Sequence, residues 1–358
     1  MSRNARLTVL IAGCLALAAP ALAFDGYRQI DATMIPSNGA SWDYLRIDAG
    51  RQHIYIGHRK EGLQVFDIKS KKLIRTIAKT DGSNSGTLIQ DMDLGVSNNE
   101  IGSITPFKIS TGEPLSDPIK VGEELDDSFY DPLTKRLMVT ASTKEEGNFV
   151  AFFEMPSMKL LGKVKSSSKR LDGAVVDDKS SLFIVARDLA KMIKIDVKEM
   201  KVVAEWDIEK CQTASGVAMD LANRRLFIGC RGKLPAVIPI MAVVDADNGK
   251  TVYTAEIGRQ NDGVTFDPET KRVFVPNGID AVTVIFEQVD KDTYKPIEAM
   301  STRPGVRSFA YDQKTKRLYA VTAEGSADFS KKVNTAVGPF YPNMLFPDTF
   351  VLLTYGRN

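Results

Sequence analysis

Cysteine and histidine are scarce in this 358-residue sequence, which has three cysteines and two histidines. Two histidines cannot form a multi-histidine metal centre, and no Cys-x-x-Cys-His haem motif occurs. The Gly-x-Ser-x-Gly motif of serine hydrolases and the phosphate-binding loop are also missing. No motif in the sequence therefore assigns an activity by itself.

Long apolar runs are absent beyond the N-terminus, so no later segment is apolar enough to span a membrane. Arg3 and Arg6 form a basic start, residues 7–19 are apolar, and residues 20–23 (Pro-Ala-Leu-Ala) place small residues before Phe24. This pattern is typical of a secretory signal peptide. We predict that residues 1–23 are removed and that the mature protein is periplasmic.

A lipoprotein signal ending at Cys14 is the alternative to this cleavage. The residues after Cys14 stay apolar, however, where a mature lipoprotein would normally turn polar.

The cleavage that we predict also changes the charge of the chain. The precursor has 47 Lys and Arg against 45 Asp and Glu, and removal of Arg3 and Arg6 leaves 45 against 45. A neutral mature chain lacks the basic character of a strong nucleic-acid binder.

Two cysteines remain in the predicted mature chain, Cys211 and Cys230. Cys211 precedes the predicted strand 215–220, and Cys230 ends the predicted strand 225–230. If these strands form a hairpin, the two sulfur atoms meet near one end of it. In an oxidising compartment the pair can form a disulfide, and two buried free thiols are the alternative.

A repeated unit organises the rest of the chain. Short Val- and Phe-rich strands alternate with polar turns, and an aspartate ends the first strand of each unit. A period of 38 to 47 residues with several strands and no helical pattern predicts propeller blades. The repeated aspartates are Asp48, Asp93, Asp131, Asp177, Asp220, Asp267 and Asp312.

The turn after the aspartate also repeats. Residues 133–139, 269–275 and 314–320 all contain Thr-Lys-Arg followed by an apolar strand, and residues 222–228 are a close variant. Asp and Thr can bind the backbone of such a turn, which joins two buried strands. The unit around Asp93 lacks the Lys-Arg turn and is the most degenerate.

The two ends of the chain fit a closed ring. The seventh unit runs out after its third strand, at residues 350–355, while residues 27–35 form a strand with no unit of their own. Pairing these segments would hide two sheet edges. We therefore predict that residues 24–358 form one all-β domain. Its fold would be a seven-bladed β-propeller of four-stranded antiparallel blades, the last closed by the N-terminal strand.

These units, in an exported chain, resemble the YVTN-repeat propellers, the YncE-like group. The resemblance covers nearly all of the predicted mature chain. The Tyr-Val-Thr-Asn motif itself is absent, and residues 274–277 (Phe-Val-Pro-Asn) and 319–322 (Tyr-Ala-Val-Thr) only approximate it. The resemblance implies a periplasmic binding or accessory propeller and implies no reaction.

Residues five positions before each repeated aspartate should lie at the mouth of the central channel, where the innermost strands begin. They are Asp43, Leu88, Asp126, Asp172, Ser215, Asp262 and Arg307. Four acids at equivalent positions favour a mouth that binds a cation, an amine or a divalent metal. The alternative is structural, since an Asp-Gly pair also turns the chain into a strand.

The loops between the second and third strands should open on the same face. They supply His58, Arg59, Arg187, Arg231 and Asn277, whose basic groups can pair with the acidic ring. His58 is an acid–base or binding candidate, with an ordinary surface residue as the alternative.

A long segment, residues 323–348, interrupts the seventh unit between its second and third strands. It contains Phe340, Tyr341 and Phe346 among prolines. Loops of this length in compact folds are usually functional or disordered. We predict either a lid or partner-docking surface over the channel, or a loop packed on its own blade.

The functional prediction is a non-catalytic, monomeric propeller that binds a small ligand or a protein partner at the channel mouth. We predict no cofactor, although a divalent metal is possible in principle. The alternative is a metal-dependent hydrolase similar to propeller lactonases, with Asp126, Asp172, Asp262 and Asn277 around the ion and His58 as acid or base. It requires these side chains to converge. A second alternative, single-stranded nucleic-acid binding, is opposed by the neutral charge.

Overall fold

The computed structural model describes residues 25–333 and 340–357. The predicted signal peptide, Cys14 and Phe24 lie outside these ranges. The fold is a ring of seven four-stranded antiparallel sheets, which confirms the predicted seven-bladed propeller. Within the described ranges, no helix is long and apolar enough to cross a membrane.

The strands follow one another in blade order. The N-terminal strand is β1 (Arg28–Met34). The first blade consists of β2 (Trp42–Asp48), β3 (His53–His58), β4 (Gly62–Asp67) and β5 (Lys72–Thr76). The second consists of β6 (Ser83–Ile89), β7 (Leu94–Asn99), β8 (Ser103–Lys108) and β9 (Ile119–Lys120). The third consists of β10 (Glu124–Asp131), β11 (Arg136–Thr143), β12 (Gly147–Glu154) and β13 (Lys159–Ser166).

The fourth blade consists of β14 (Leu171–Val176), β15 (Ser181–Ala186), β16 (Lys191–Asp196) and β17 (Lys201–Asp207). The fifth consists of β18 (Ala214–Asp220), β19 (Arg225–Cys230), β20 (Ile240–Asp245) and β21 (Thr251–Glu256). The sixth consists of β22 (Thr265–Asp267), β23 (Arg272–Asn277), β24 (Val282–Asp290) and β25 (Thr293–Ser301). The remaining strands are β26 (Ala310–Asp312), β27 (Arg317–Thr322), β28 (Gly325–Ser326), β29 (Met344–Leu345) and β30 (Val351–Gly356).

The seventh blade combines both ends of the chain, as predicted. Its strand order is β26-β27-β30-β1, with β1 antiparallel to β30 from Arg28 opposite Gly356 to Met34 opposite Val351. The N-terminal strand thus covers an edge that β30 would otherwise expose. This pairing fixes the ring, because its first and last segments share one sheet.

The middle strands of each blade are buried on both faces because neighbouring blades pack against them. Strand β15 is buried at all six residues, whereas no residue of the outer strand β17 is fully buried. Seven hydrophobic clusters of described residues lie one at each interface between neighbouring blades. This pattern explains why the middle strands read as continuous apolar runs.

The repeated aspartate organises the turn between the first two strands. The Asp131 carboxylate accepts hydrogen bonds from the backbone N–H groups of Leu133 and Thr134, and Lys135 follows in the left-handed region at φ 53°. Asp267 and Asp312 accept the same kind of bond in their blades. The aspartate therefore satisfies backbone donors of a turn that closes a buried hairpin.

The second blade corrects the predicted alignment. Strand β6 ends at Ile89, a short 3₁₀ turn (Gln90–Met92) follows, and Asp93 lies beyond it. Ile89 pairs with Leu94 in the register in which Asp48 pairs with His53, so Ile89 occupies the position of the repeated aspartate. The mouth position of this blade is consequently Asn84 rather than Leu88.

Candidate functional site

The residues at the channel mouth are presented by irregularities at the start of the innermost strands. In the first five blades the pairing with the second strand is interrupted there, for example between Trp42 and Leu45 and between Leu171 and Ala174. Residues in a bulge leave the ladder and can point along the channel axis. The seven mouth residues are Asp43, Asn84, Asp126, Asp172, Ser215, Asp262 and Arg307.

Asp262 is bound by arginines from the blades on either side. Nε of Arg307 donates to its Oδ2 atom at 2.6 Å, and Arg231 donates to its Oδ1 atom. Ser215 donates to the same Oδ1 atom at 3.1 Å. These cations hold the pKa of Asp262 far below its ordinary value despite burial. Asp262 is therefore a fixed anion that links three blades.

Asp43 continues this chain of ion pairs into the first blade. It forms an ion pair with Arg59 and lies 3.5 Å from Nη2 of Arg307. Arg59 also donates from Nε to Oδ1 of Asn84 at 2.6 Å, so the chain reaches the second blade. Burial nevertheless raises the pKa of Asp43 to about 6, against the two arginines and with the help of neighbouring carboxylates.

Asp172 and Asp126 lie on the opposite side of the mouth. Nη1 of Arg187 donates to Oδ2 of Asp172 at 2.8 Å, and the Tyr44 hydroxyl reaches across the channel to its Oδ1 atom at 3.3 Å. Asp126 has a looser partner, Arg170, at 3.5 Å. Burial and the charges of Asp172 and Asp43 raise the pKa of Asp126 well above its ordinary value.

The channel below the mouth is largely closed by side chains of the first blade. Tyr44 crosses it toward Asp172, and Arg46 crosses it to form a 2.5 Å ion pair with Asp127. Asp127 also accepts a hydrogen bond from Ser85. The cavity that remains along the axis has a volume of about 540 Å³. A ligand that reaches the mouth therefore meets a polar floor rather than an open tunnel.

Two predicted site residues lie away from the mouth surface. His58 is fully buried, with Nε2 3.1 Å from the Ser37 hydroxyl and its ring edge-on to Phe350. Burial lowers the pKa of His58 even though Glu61 is close, which favours the neutral ring. Asn277 is also fully buried, and its amide donates to two backbone carbonyl oxygens. Both side chains therefore lie in the core rather than at the mouth surface.

The long segment of the seventh blade forms a small hairpin, in which β28 pairs with β29. Phe340 is 80% exposed and lies edge-on to Phe329, which is 65% exposed. Phe346 is 44% exposed, whereas Tyr341 lies close enough to Arg307 to interact with it electrostatically. The segment thus connects an exposed aromatic pair with the mouth.

A second cavity opens beside the mouth, between the second, third and fourth blades, with a volume of about 380 Å³. We call it the side pocket. Its walls are mainly polar and include Asn84, Glu124, Asp126, Ser142, Asn148, Lys169 and Arg170.

The sequence pattern did not identify several of these residues as site residues. Arg170 precedes an innermost strand, and Asn84 lies in the misaligned blade. A search for arginines two residues before the mouth aspartates would have found Arg170.

The mouth does not match the arrangement that the hydrolase alternative requires. Within the described residues, no group of three His, Cys, Asp or Glu side chains could hold a metal ion. Asp172 and Asp262 are instead hydrogen-bonded by arginines, and Asn277 and His58 lie in the core. A cation that bound these carboxylates would have to displace the guanidinium groups first.

The predicted cysteine pair lies on the hairpin of the fifth blade. Cys211 and Cys230 are joined by a disulfide, and Cys230 pairs with Ala214 at the start of β18. The bond closes the end of the hairpin nearest the mouth, next to the loop that carries Arg231.

Comparisons with known proteins identify the fold alone. A chain of hydrazine synthase from Kuenenia stuttgartiensis superimposes with a TM-score of 0.68 at 13% identity, over 80% of this chain and 94% of that one. A chain of the mitotic checkpoint complex superimposes with a TM-score of 0.70 at 12% identity, over 89% and 96%. No family model and no curated protein matches the sequence. At these identities the likeness shows a β-propeller and says nothing about activity.

Proposed function

We propose that this protein is an exported, non-catalytic propeller that binds a ligand or protein partner at its channel-mouth face. The observation that carries the proposal is the pairing of the buried mouth aspartates with arginines. Asp262 is held by Arg231 and Arg307, and Asp172 by Arg187. Carboxylates engaged in this way are poor general bases and poor metal ligands. The ion-paired aspartates and arginines of the mouth, which we call the belt, instead form a rigid surface of alternating charge that is suited to recognition.

The exposed aromatic pair supports binding on the same face. Phe329 and Phe340 leave most of their ring surface in water, next to a segment whose Tyr341 interacts with Arg307. Large exposed aromatic side chains beside a polar surface are a common feature of interaction sites. The resemblance to YVTN-repeat propellers and the N-terminal signal pattern support a periplasmic location. The neutral mature charge opposes nucleic-acid binding.

The proposal can be tested by capture from periplasmic extract with immobilised residues 24–358. We expect bound material to be retained by the wild type and by Lys179→Glu, an exposed change at the turn after Asp177, on the far face. The double variant Phe329→Ser/Phe340→Ser and the variant Arg170→Glu should lose it, because these exposed residues line the mouth face. Equal capture by all four proteins, or none by the wild type, would contradict the proposal.

A further inference from the structure

The side pocket contains the cations of the mouth that are least engaged by protein partners. Arg170 has a side chain that is 53% exposed, and it lies 3.5 Å from Asp126 and 3.8 Å from Asp172. These distances exceed those of good charge-assisted hydrogen bonds, so its guanidinium donors remain available. Lys169 is exposed beside it, and no described carboxylate lies within ion-pair distance of its ammonium group.

Arg307 and Arg231 differ from Arg170 in this respect. Arg307 donates to Asp262 and to the Trp42 carbonyl oxygen, and Arg231 donates to Asp262 and to the Asn261 carbonyl oxygen. The hydrogen-bond donors of these two guanidinium groups are thus already engaged by protein acceptors. Arg187 donates to Asp172, and its side chain is only 17% exposed, against 53% for Arg170. An anionic ligand would therefore meet the most accessible cations at the side pocket rather than over the channel axis.

The pocket also has an unsatisfied acidic group. Oδ2 of Asp126 is buried and has no hydrogen-bond partner among the described residues. A buried polar atom left without a partner is unfavourable, so a ligand hydroxyl that reaches it gains a hydrogen bond that the empty pocket lacks. Because the pKa of Asp126 is raised by burial and by neighbouring carboxylates, its carboxyl group can hold a proton and donate it to a ligand oxygen. A hydroxyl group can either accept this bond or donate to the carboxylate form.

The third blade supplies further polar groups. The side chains of Ser142 and Asn148 line the pocket and are partly exposed, and neither makes a side-chain hydrogen bond within the described ranges. Together with Asp126 they offer both donors and acceptors, as hydroxyl groups require. Glu100 and Glu124 add negative charge at the rim. That charge disfavours a multiply charged anion such as phosphate and suits a ligand with a single negative charge.

We propose that the side pocket binds a small polyhydroxylated carboxylate, a sugar acid, with its carboxylate on Arg170 and Lys169 and its hydroxyl groups on Asp126, Ser142 and Asn148. This inference rests on the proposed binding role of the mouth face and specifies a ligand class for it. The volume of about 380 Å³ accommodates a molecule of this size.

Isothermal titration calorimetry of residues 24–358 with D-gluconate and D-galacturonate tests the proposal. We expect saturable binding of at least one of them, and binding at least about tenfold weaker for D-glucose, D-galactose and inorganic phosphate. Arg170→Gln removes charge-assisted hydrogen bonds of a class worth about 1.5–3 kcal/mol, so affinity should fall about 10- to 100-fold. Ser142→Ala should weaken it less, and Lys144→Gln, which removes an exposed cation outside the pocket, should not change it.

Absence of saturable binding to either sugar acid would overturn the proposal, as would binding that Arg170→Gln leaves unchanged. Tighter binding of phosphate would show that the ligand class is wrong. Because Arg170 and Ser142 are partly exposed, circular dichroism can verify that the variants are folded. If sugar acids fail to bind while capture by the mouth face still depends on Phe329 and Phe340, the side-pocket inference fails alone. If capture also loses its dependence on the mouth face, the proposed function fails as well.

Discussion

Nε of Arg307, in the seventh blade, donates to Oδ2 of Asp262, in the sixth blade, at 2.6 Å. The same guanidinium donates to the carbonyl oxygen of Trp42 in the first blade at 2.9 Å and lies 5.7 Å from the centre of its ring. One side chain therefore joins three blades at the place where the ring closes. Its role is structural as well as electrostatic.

Replacing Arg307 by methionine should destabilise the protein strongly. The change keeps the volume of the side chain but leaves Asp262 with fewer cations in a buried site, which costs about 3 kcal/mol. Urea unfolding at pH 7 measures the change. The matched control is Arg259→Met, because Arg259 pairs with Asp280 and is 44% exposed. We expect a loss below about 1 kcal/mol there. Equal losses in both variants would show that the belt does not stabilise the ring.

Asp43 should make stability depend on pH. Its pKa is raised from 3.8 to about 6, so its stabilising contribution is complete below about pH 4 and is lost as pH rises through 6. The charged groups that face it are Arg59, Arg307, Asp262 and Asp172. Wild type should therefore lose stability relative to Asp43→Asn between pH 4.5 and 7.5, by about 2 kcal/mol.

Urea unfolding at four pH values in this range measures the Asp43 effect. Asp280→Asn is the control. Despite partial burial, hydrogen bonds from Arg259 hold the pKa of Asp280 below its ordinary value, and Asp280 is not among the groups that face Asp43. That variant should therefore differ from wild type by a nearly constant amount over this range. If the Asp43→Asn curve were also parallel to wild type, Asp43 would have an ordinary pKa.

Gly216 should not tolerate a side chain. A Cβ atom there would lie 2.5 Å from Cα of Gly263 in the next blade, since the innermost strands approach closely along the channel. Gly216→Ala must push these strands apart, which we expect to cost about 1–3 kcal/mol. Gly162→Ala in β13 is the control, because its nearest neighbour, a Met200 atom, would be 3.6 Å away. A similar melting temperature for both variants would contradict the predicted close approach.

The Cys211–Cys230 disulfide should stabilise the fifth blade. It spans 19 positions of sequence, and closing a loop of this length restricts the unfolded chain by about 3 kcal/mol in the entropy model. We expect the melting temperature of residues 24–358 to fall in dithiothreitol. The double variant Cys211→Ala/Cys230→Ala should melt lower than wild type under oxidising conditions and should not respond to the reductant. An unchanged wild type in dithiothreitol would contradict this expectation.

The sequence was sufficient to predict the fold where each blade repeats the same local chemistry. Asp131, Asp267 and Asp312 bind the turns that follow them, and this need is visible as a fixed spacing. Ring closure by residues 27–35 was predictable because a strand without a unit and a unit without a strand complement each other. The second blade was misaligned because Asp93 stands after a 3₁₀ turn that the period does not reveal.

The mouth was only partly predictable for a physical reason. The spacing places Asp43, Asp172 and Asp262 at equivalent positions, and an equivalent position fixes the height of a residue on the ring. Which arginine pairs with which mouth aspartate depends instead on how far the arginine extends toward a neighbouring blade, as Arg307 does toward Asp262. That reach is set by packing between segments distant in the chain.

Local periodicity, turn chemistry and the two chain ends thus determined that this protein is a seven-bladed propeller. Tertiary structure alone decided that His58 is buried, that Arg170 stays available beside the unpartnered carboxyl oxygen of Asp126, and that Phe329 meets Phe340 at the surface. Side-chain burial and side-chain pairing depend on how the blades pack against each other. The sequence pattern reveals them only where every blade repeats the same interaction.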